Sequence, residues 1–183
     1  CYTYSQNTDY HYLSGVDAGS PVDWEFMVTK GRRANIWSTI PVPSNWEFHG
    51  FGNFNYGHDK NKSDETGYYR RSFIGDQKWK DKLIKLVFEG VMTDTEVKIN
   101  GSLCAPVHQG GFYRFEYEIT SFINLGENNL LEVKVNKVSS NESIEIAERK
   151  ADYWVFGGIY RPVYLKILPT EHIERNAINA QAN

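Results

Sequence analysis

The feature that most constrains this chain is a repeated alternation of apolar and polar residues over short segments. From Asp23 to Val28, every second residue is Trp, Phe or Val. A period of two places alternate side chains on opposite faces of a β-strand. Further strand-like segments follow at residues 67–74, 82–89, 94–99, 112–119, 130–137 and 160–168. Many short strands with turn residues between them and almost no helical pattern predict an all-β, antiparallel sandwich of the jelly-roll type.

Turn residues indicate where several of these strands end. Asn100-Gly101 is the strongest short signal for a β-hairpin, and we expect residues 102–107 to pair back onto the preceding strand. Pro41 and Pro43 lie in a segment that is therefore predicted to be extended or at a sheet edge, because proline has no backbone N–H to donate. Residues 139–150 break the alternation and are interpreted as a polar loop or a weak helix.

The domain organisation follows from length and from where the alternation stops. The 183 residues suit one domain, and they are too few for a (β/α)8 barrel, which takes about 250 residues. We expect an extended N-terminal arm at residues 1–22, the sandwich at 23–168, and a linker or truncated end at 169–183. The 47–67 loop is unusually long and rich in Gly, Asn and aromatics, which favours a functional loop over a disordered one.

Composition excludes several functional classes. The net charge is −3 and the pI is about 6.0, so nucleic acid is not an expected partner. No apolar run is long enough to span a membrane. The five His residues are scattered without the spacing of a zinc site, and neither a nucleophile elbow nor a phosphate-binding glycine loop is present.

The two cysteines do not form a disulfide framework or a metal site. Cys104 lies in a strand-like stretch and is predicted to be a buried small apolar residue. Cys1 begins the printed chain, which fits either a bacterial lipoprotein lipidated at this residue or an arbitrary boundary. The lipoprotein interpretation predicts a location in the bacterial periplasm or at the outer membrane.

Residues 151–165 carry the most distinctive local pattern. Asp152 and Trp154 precede Gly157-Gly158, which predicts a sharp bend, and residues 159–165 then alternate like a strand. An acid and aromatic rings held at a bend suit a sugar site, because a carboxylate accepts hydroxyl hydrogens and ring faces stack on a pyranose. The alternative is a strand entry with a capping Asp and core aromatics.

Carboxylates in the two irregular regions are the remaining source of chemistry. Asp64 and Glu65 lie in the long loop and Asp152 in the second region, so that all three can meet on one rim of the sandwich. A glycosidase needs two carboxyl groups about 5 to 9.5 Å apart. Isolated loop acids are usually solvated, and we therefore expect sugar contacts rather than catalysis from them.

Seven short motifs occur in an order that resembles the N-terminal sugar-binding domain of family 2 glycoside hydrolases, the β-galactosidase and β-glucuronidase group. Each motif alone is weak, but the ordered set spans residues 36–168 and is specific. The motifs are VPSNW at 42–46, TGYYRRSF at 66–73, FEGV at 88–91, VKING at 97–101, FEYEIT at 115–120, LGENNL at 125–130 and DYWVFGGIYRPV at 152–163.

The resemblance implies a galactose-binding-like jelly roll with no catalytic residue of its own. In the family, an immunoglobulin-like domain and a (β/α)8 barrel follow, and the barrel holds both catalytic Glu residues. The implied partners are a β-glycoside carbohydrate, these downstream domains and, for the whole enzyme, further copies in a homo-oligomer. The resemblance requires no cofactor for this segment and allows a sodium or magnesium ion in the full-length enzyme.

The resemblance also assigns roles to individual residues. Asp152 matches an Asp that contacts galactose hydroxyls and a bound sodium ion, and Trp154 matches the Trp two positions later. Asp64 stands where β-galactosidases have Asn. Two acids facing one sugar would repel each other, so galactose specificity is open and another β-glycoside is an alternative. Arg161 matches a structural Arg in the final strand, expected to pair with a backbone group or an acid.

Three functions remain open from the sequence. The first is the N-terminal domain of a family 2 β-glycosidase, which buttresses an active site formed by another domain. The second is a free-standing carbohydrate-binding module that uses aromatic residues of the 47–67 loop. The third is a structural or interaction domain of a bacterial surface protein.

Overall fold

A computed structural model describes residues 7–172, which form a β-sandwich with one short α-helix in that range. The helix, α1, spans Glu142–Arg149, and single 3-10 turns occupy Trp46–His49, Gln77–Trp79 and Thr120–Phe122. The strands are β1 (Asp9–Tyr12), β2 (Val22–Val28), β3 (Ser38–Val42), β4 (Asn55–Tyr56), β5 (Thr66–Ile74), β6 (Leu83–Phe88), β7 (Asp94–Ile99), β8 (Ser102–Leu103), β9 (Phe115–Glu118), β10 (Asn128–Asn136), β11 (Trp154–Val155) and β12 (Val163–Leu168).

Two antiparallel sheets form the sandwich, as the alternation predicted. One has four strands in the order β1-β12-β6-β9, and the other has six in the order β3-β2-β5-β10-β7-β8. A separate two-stranded ladder joins β11 to β4. No helix within residues 7–172 is long and apolar enough to cross a membrane.

The core lies between the sheets because alternate residues of each strand point inward. Trp24, Phe26 and Val28 of β2 are essentially unexposed, as are Leu86 and Phe88 of β6. Burying one side chain of this size stabilises the fold by about 1.5–3 kcal/mol. Packing of these side chains holds the two sheets together. The loops at the ends of the sandwich lie outside this core and can carry functional residues.

Part of the predicted N-terminal arm is a strand of the sandwich. β1 pairs with β12, Asp9 opposite Ile167. Leu13 is buried, and its carbonyl accepts a hydrogen bond from the Trp24 indole N–H at 3.0 Å. Within the predicted arm, Asp9–Tyr12 is extended as β1, so the sheet begins ahead of residue 23. Residues 1–6, and with them Cys1, lie outside the described residues, as do residues 173–183 of the predicted linker.

The turn predictions are confirmed. Asn100 and Gly101 have φ values of 53° and 79°, which are those of a hairpin turn joining β7 to β8. The returning strand is shorter than predicted, because only Ser102–Leu103 is paired as a strand. Pro41 lies in β3, at the edge of the six-stranded sheet.

The polar segment 139–150 contains the helix that was one of its two interpretations. The Asn141 side chain caps α1 by accepting hydrogen bonds from the backbone N–H groups of Ser143 and Ile144. Cys104 is half-buried rather than fully buried, and burial raises the pKa of its thiol to about 11.

The last strand begins later than the alternation predicted. β12 starts at Val163, and residues 160–162 are not in a strand. Arg161 is exposed instead of sharing the buried face with Val163 and Leu165. Its guanidinium donates to the Glu89 carbonyl at 3.4 Å, which confirms the predicted pairing with a backbone group.

Candidate functional site

The two irregular regions of the sequence meet at one end of the sandwich. The ladder between β4 and β11 sets Tyr56 opposite Trp154 and Asn55 opposite Val155. The Gly57 N–H also donates to the Tyr153 carbonyl at 2.8 Å. Segments that lie about a hundred residues apart in the chain therefore form one surface, as expected from the sequence.

This surface carries five aromatic side chains, which we call the aromatic rim: Phe48, Phe54, Tyr56, Trp154 and Phe156. Their rings pack in series, with centroid distances of 4.8 Å for Phe48–Phe156, 6.1 Å for Phe54–Trp154 and 5.6 Å for Tyr56–Trp154. Phe48 and Trp154 remain 64% and 54% exposed. The rim therefore offers ring surface to a ligand, and Trp154 is not the core aromatic of the alternative interpretation.

Asp152 lies beside the rim with its carboxylate open to solvent. The side chain is 83% exposed, and Oδ1 lies 2.9 Å from Nε2 of His58. Its position two residues before Trp154 brings an acceptor for hydroxyl hydrogens close to an exposed indole. The structure thus brings together two of the three predicted substrate-binding residues.

Asp64, the third predicted residue, has a different partner. Its Oδ1 lies 2.5 Å from the Lys30 ammonium. This hydrogen bond holds the pKa of the Asp64 carboxyl below its usual value. Because Asp64 pairs with Lys30 and Asp152 lies against the His58 imidazole, the arrangement of two acids against each other that was expected from the sequence is not what is observed.

The prediction that Glu65 can meet Asp64 and Asp152 on one rim was wrong, because Glu65 is buried beneath the loop. It is fully buried and belongs to an ionic cluster with Lys137 and Glu47, which we call the buried trio. The Lys137 ammonium lies 2.8 Å from Glu47 Oε1 and 3.3 Å from Glu65 Oε2. None of the three side chains is exposed, so each charge depends on the others for compensation.

The buried trio holds the backbone of the long loop. The Lys137 ammonium donates to the Asn53 carbonyl at 2.5 Å and to Asn55 Oδ1 at 3.2 Å. Glu65 Oε1 accepts from the Asn53 N–H at 2.6 Å. The buried trio therefore fixes the backbone of residues 53–55, the segment that carries Phe54 and begins β4.

The same cluster holds the second segment through Glu47. Both carboxylate oxygens of Glu47 accept from the Gly157 N–H, at 3.0 and 3.1 Å. Burial raises the pKa of Glu47, and the neighbouring Lys137 opposes that shift. A Cβ at Gly157 would lie 2.0 Å from the Trp46 ring, and Gly158 has φ 120°. These contacts explain why the predicted bend needs two glycines.

Helix α1 closes the back of the site. The buried Arg149 donates to the Phe156 carbonyl at 2.6 Å, and Lys62 of the long loop donates to the Arg149 carbonyl at 2.6 Å. Glu148 accepts from the Gly111 N–H at 2.6 Å. The helix thus links the rim to both the long loop and the 108–114 segment.

Sequence reasoning missed the buried trio, although a signal was present. Val133 and Val135 of β10 point inward, and the same period of two places Lys137 inward as well. Glu65 precedes inward-facing Gly67 by two residues in the same way. A charged residue at an inward position needs a partner of opposite charge. Here Lys137, just after β10, and Glu65, just before β5, are partners of each other.

A metal site at Asp152 is not evident from the residues that surround it. No group of three or more His, Cys, Asp or Glu side chains in residues 7–172 is arranged to hold a metal ion. Asp152 supplies one carboxylate, and hard cations prefer several oxygen ligands. The sodium or magnesium ion implied for the full-length enzyme stays a prediction.

The aromatic rim and its supports stand on a sandwich whose sequence matches a known family. Residues 23–169 match the family described as glycosyl hydrolases family 2, sugar binding domain. The chain belongs to this family. The match confirms the resemblance drawn from the ordered motifs and covers nearly the same residues.

Curated relatives are enzymes of this family. The chain is 39% identical over 110 residues to a β-galactosidase of Thermoanaerobacter pseudethanolicus, covering 60% of the chain and 14% of that protein. It is 32% identical over 137 residues to a putative β-glucuronidase of Formosa agariphila, covering 75% and 16% respectively. This family 2 domain therefore spans about one sixth of the length of these relatives.

Solved structures share the fold. A β-glucuronidase of Bacteroides uniformis superposes with a TM-score of 0.66 at 26% identity, covering 89% of the chain and 18% of the enzyme. A β-D-glucuronidase of Dictyoglomus thermophilum gives a TM-score of 0.68 at 23% identity, covering 99% of the chain and 32% of the enzyme. At that identity the likeness shows the fold alone. The all-β sandwich prediction is confirmed, and the family 2 chain matches only part of the length of each of these enzymes.

Proposed function

We propose that this chain is the sugar-binding domain of a β-glycosidase that hydrolyses β-galactosides or β-glucuronides. Its rim would contribute substrate contacts to an active site whose catalytic acids lie in a downstream (β/α)8 barrel, reached through an immunoglobulin-like domain. The observation that carries the proposal is the exposed pair of Asp152 and Trp154 on a rim that buried charges hold rigid. The enzymes named among the relatives support the reaction class.

The chemistry of the rim suits binding rather than bond cleavage. The Trp154 ring can stack on the apolar face of a pyranose, and the Asp152 carboxylate can accept two of its hydroxyl hydrogens. Among the described residues, Asp152 and Asp64 each have a separate side-chain partner, His58 and Lys30 respectively. General acid and nucleophile would accordingly come from the other domain.

Kinetics of the full-length enzyme test the proposal. We expect Asp152→Ala and Trp154→Ala each to lower kcat/KM by tenfold or more, about 1.4 kcal/mol of transition-state stabilisation, and Asp152→Ala to leave the unfolding midpoint unchanged. Glu25→Ala, which removes an exposed carboxylate on β2, is the matched control. Wild-type kinetics for both rim variants would show that the rim does not contact the substrate.

A free-standing carbohydrate-binding module is the second candidate, favoured by the ring surface that Phe48 and Trp154 expose. Calorimetric titration of the isolated chain with galactose, glucuronic acid and their β-linked oligosaccharides distinguishes the two. Millimolar or tighter binding that Trp154→Ala abolishes would favour the module. No heat of binding, together with the kinetic loss above, would favour the enzyme domain.

A further inference from the structure

Three tyrosines cluster on the outer face of the four-stranded sheet, away from the aromatic rim. Tyr10 and Tyr12 alternate along β1, and Tyr12 lies opposite Tyr164 of β12. The Tyr164 ring lies 5.7 Å from the Tyr10 ring and 5.1 Å from the Tyr12 ring. Tyr164 is 6% exposed, whereas Tyr10 and Tyr12 are 56% and 43% exposed. One buried ring therefore supports two exposed rings, which we call the tyrosine platform.

A hydrogen bond and close packing hold Tyr164, the supporting ring of the platform. The Tyr164 hydroxyl donates to Glu89 Oε1 at 2.6 Å. Val87, opposite Tyr164 in the neighbouring strand, has no exposed surface although it lies on this outer face. The face is thus packed closely enough to fix the orientation of the supporting ring.

Charged groups beside the platform are already paired with one another. Arg114 lies 3.7 Å from Glu89 and 3.4 Å from Glu116, and Lys85 lies 2.9 Å from Glu116. By strand alternation, Lys166 of β12 and Glu118 of β9 share this face, so three cations face three carboxylates and give no net charge to attract an acidic ligand. They do present hydrogen-bond donors and acceptors in a row, which a ligand with many hydroxyl groups can use.

We propose that the tyrosine platform is a second carbohydrate-binding site, for a neutral, extended polysaccharide. Residues two apart on a strand are separated by about 7 Å, so Tyr10 and Tyr12 can contact successive parts of one chain. The row formed by Glu89, Arg114 and Glu116 begins at the Tyr164 hydroxyl, on the same face of the sheet, where it can bond hydroxyl groups of the ligand. Such a site would hold the domain on a polymer while the rim serves the reacting sugar.

The chemistry of the face favours a glycan over a protein surface. The fully buried centre of a protein interface is depleted of charged residues, whereas here Tyr164, which supports the exposed rings, bonds to Glu89 of an ion-paired group. Tyrosine combines a ring face with a hydroxyl group, which matches the mixed apolar and polar faces of a sugar. Docking of another domain of the same enzyme on this face is an outcome that the test separates.

Affinity electrophoresis of the intact chain through gels containing galactan, xylan, mixed-linkage β-glucan or polygalacturonate tests the site. We expect at least one neutral polysaccharide to retard the wild type. The double substitution Tyr10→Ala and Tyr12→Ala should weaken that retardation about tenfold or more, the effect expected of residues that dominate a binding site. Tyr113→Ala removes another exposed tyrosine, 62% exposed, and should have no effect.

Three results would overturn the platform proposal. They are the absence of retardation by every neutral polysaccharide, retardation by polygalacturonate alone, and unchanged retardation of the double variant. A double variant that lowers the unfolding midpoint of the full-length enzyme but not that of the isolated chain would instead identify the face as a domain contact. Trp154→Ala should leave retardation intact, so failure of the platform and failure of the rim are distinguishable.

Discussion

The ammonium of Lys137 lies 2.8 Å from a carboxylate oxygen of Glu47, and neither side chain has any exposed surface. Glu65, the residue before β5, completes the cluster. A buried ion pair gives little net stability compared with an apolar replacement. Loss of one partner, however, leaves the other charge unpaired in a protein interior that solvates it poorly. The value of this cluster lies in the backbone atoms that it fixes beneath the rim.

Removal of the ammonium should therefore be costly. Lys137→Met leaves two buried carboxylates facing each other and should lower the free energy of unfolding by about 3–5 kcal/mol, measured by denaturant titration. The triple variant that adds Glu47→Gln and Glu65→Gln removes the stranded charges and should recover part of the loss. A single variant within about 1 kcal/mol of the wild type would contradict this account.

Gly157 should tolerate no side chain. Gly157→Ala places a Cβ 2.0 Å from the Trp46 ring, and overpacking of this kind costs about 1–3 kcal/mol. Gly50→Ala is the control, because Gly50 has φ 81° but nothing within 4 Å of the new Cβ. Thermal unfolding should show the larger loss for Gly157→Ala, and equal losses would mean that the contact with Trp46 relaxes freely.

Asn100 should stabilise the hairpin through both its backbone and its side chain. Its amide donates to the Phe122 carbonyl and to Asn129 Oδ1, both at 2.9 Å, and its oxygen accepts from the Leu130 N–H. Asn100→Ala should cost about 2–3 kcal/mol, and Asn100→Gly about 1 kcal/mol less, because glycine accepts the positive φ. Equal unfolding free energies for the two variants would show that backbone strain contributes nothing.

Asp94 should make stability fall at acidic pH. Burial alone would raise its pKa, but hydrogen bonds from Ser139, Ser140 and Gln109 outweigh burial and hold the pKa below the ordinary value of 3.8. A lowered carboxyl pKa adds stability that is present above 3.8 and is lost as pH falls through the folded-state pKa.

Asp94→Asn should therefore be less stable than the wild type at neutral pH, and the difference should shrink as the pH falls below 3.8. Urea titrations across that range measure it. Ser140→Ala, which removes one donor and keeps the carboxylate, should give a smaller change of the same sign. A difference that stays constant with pH would show that Asp94 acts only by packing.

The strands were predictable because the period of two is a local property. Trp24, Phe26 and Val28 signal β2 without reference to any other part of the chain. β1 was missed because all four of its residues are exposed and its alternation of Tyr with polar residues is only four residues long. Its pairing with β12 joins segments more than 150 residues apart, which no local pattern reports.

The site was predictable in its location but not in its contacts. Asp152 and Trp154 lie together because they are close in sequence, and the ordered motifs identified their context. The partner of each loop carboxylate depends on side chains from distant segments, such as Lys30 for Asp64 and His58 for Asp152. Local sequence patterns cannot predict those pairings, because they form only when distant segments of the chain come together on folding.

The short ladder between β4 and β11 has a consequence for how specificity can change among relatives. Because Tyr56 and Trp154 are cross-strand neighbours, insertion of a residue in either segment shifts the register of the other. The two segments should therefore vary in length together. Exchange of sugar specificity between family members should therefore succeed only when both segments and helix α1 are replaced together.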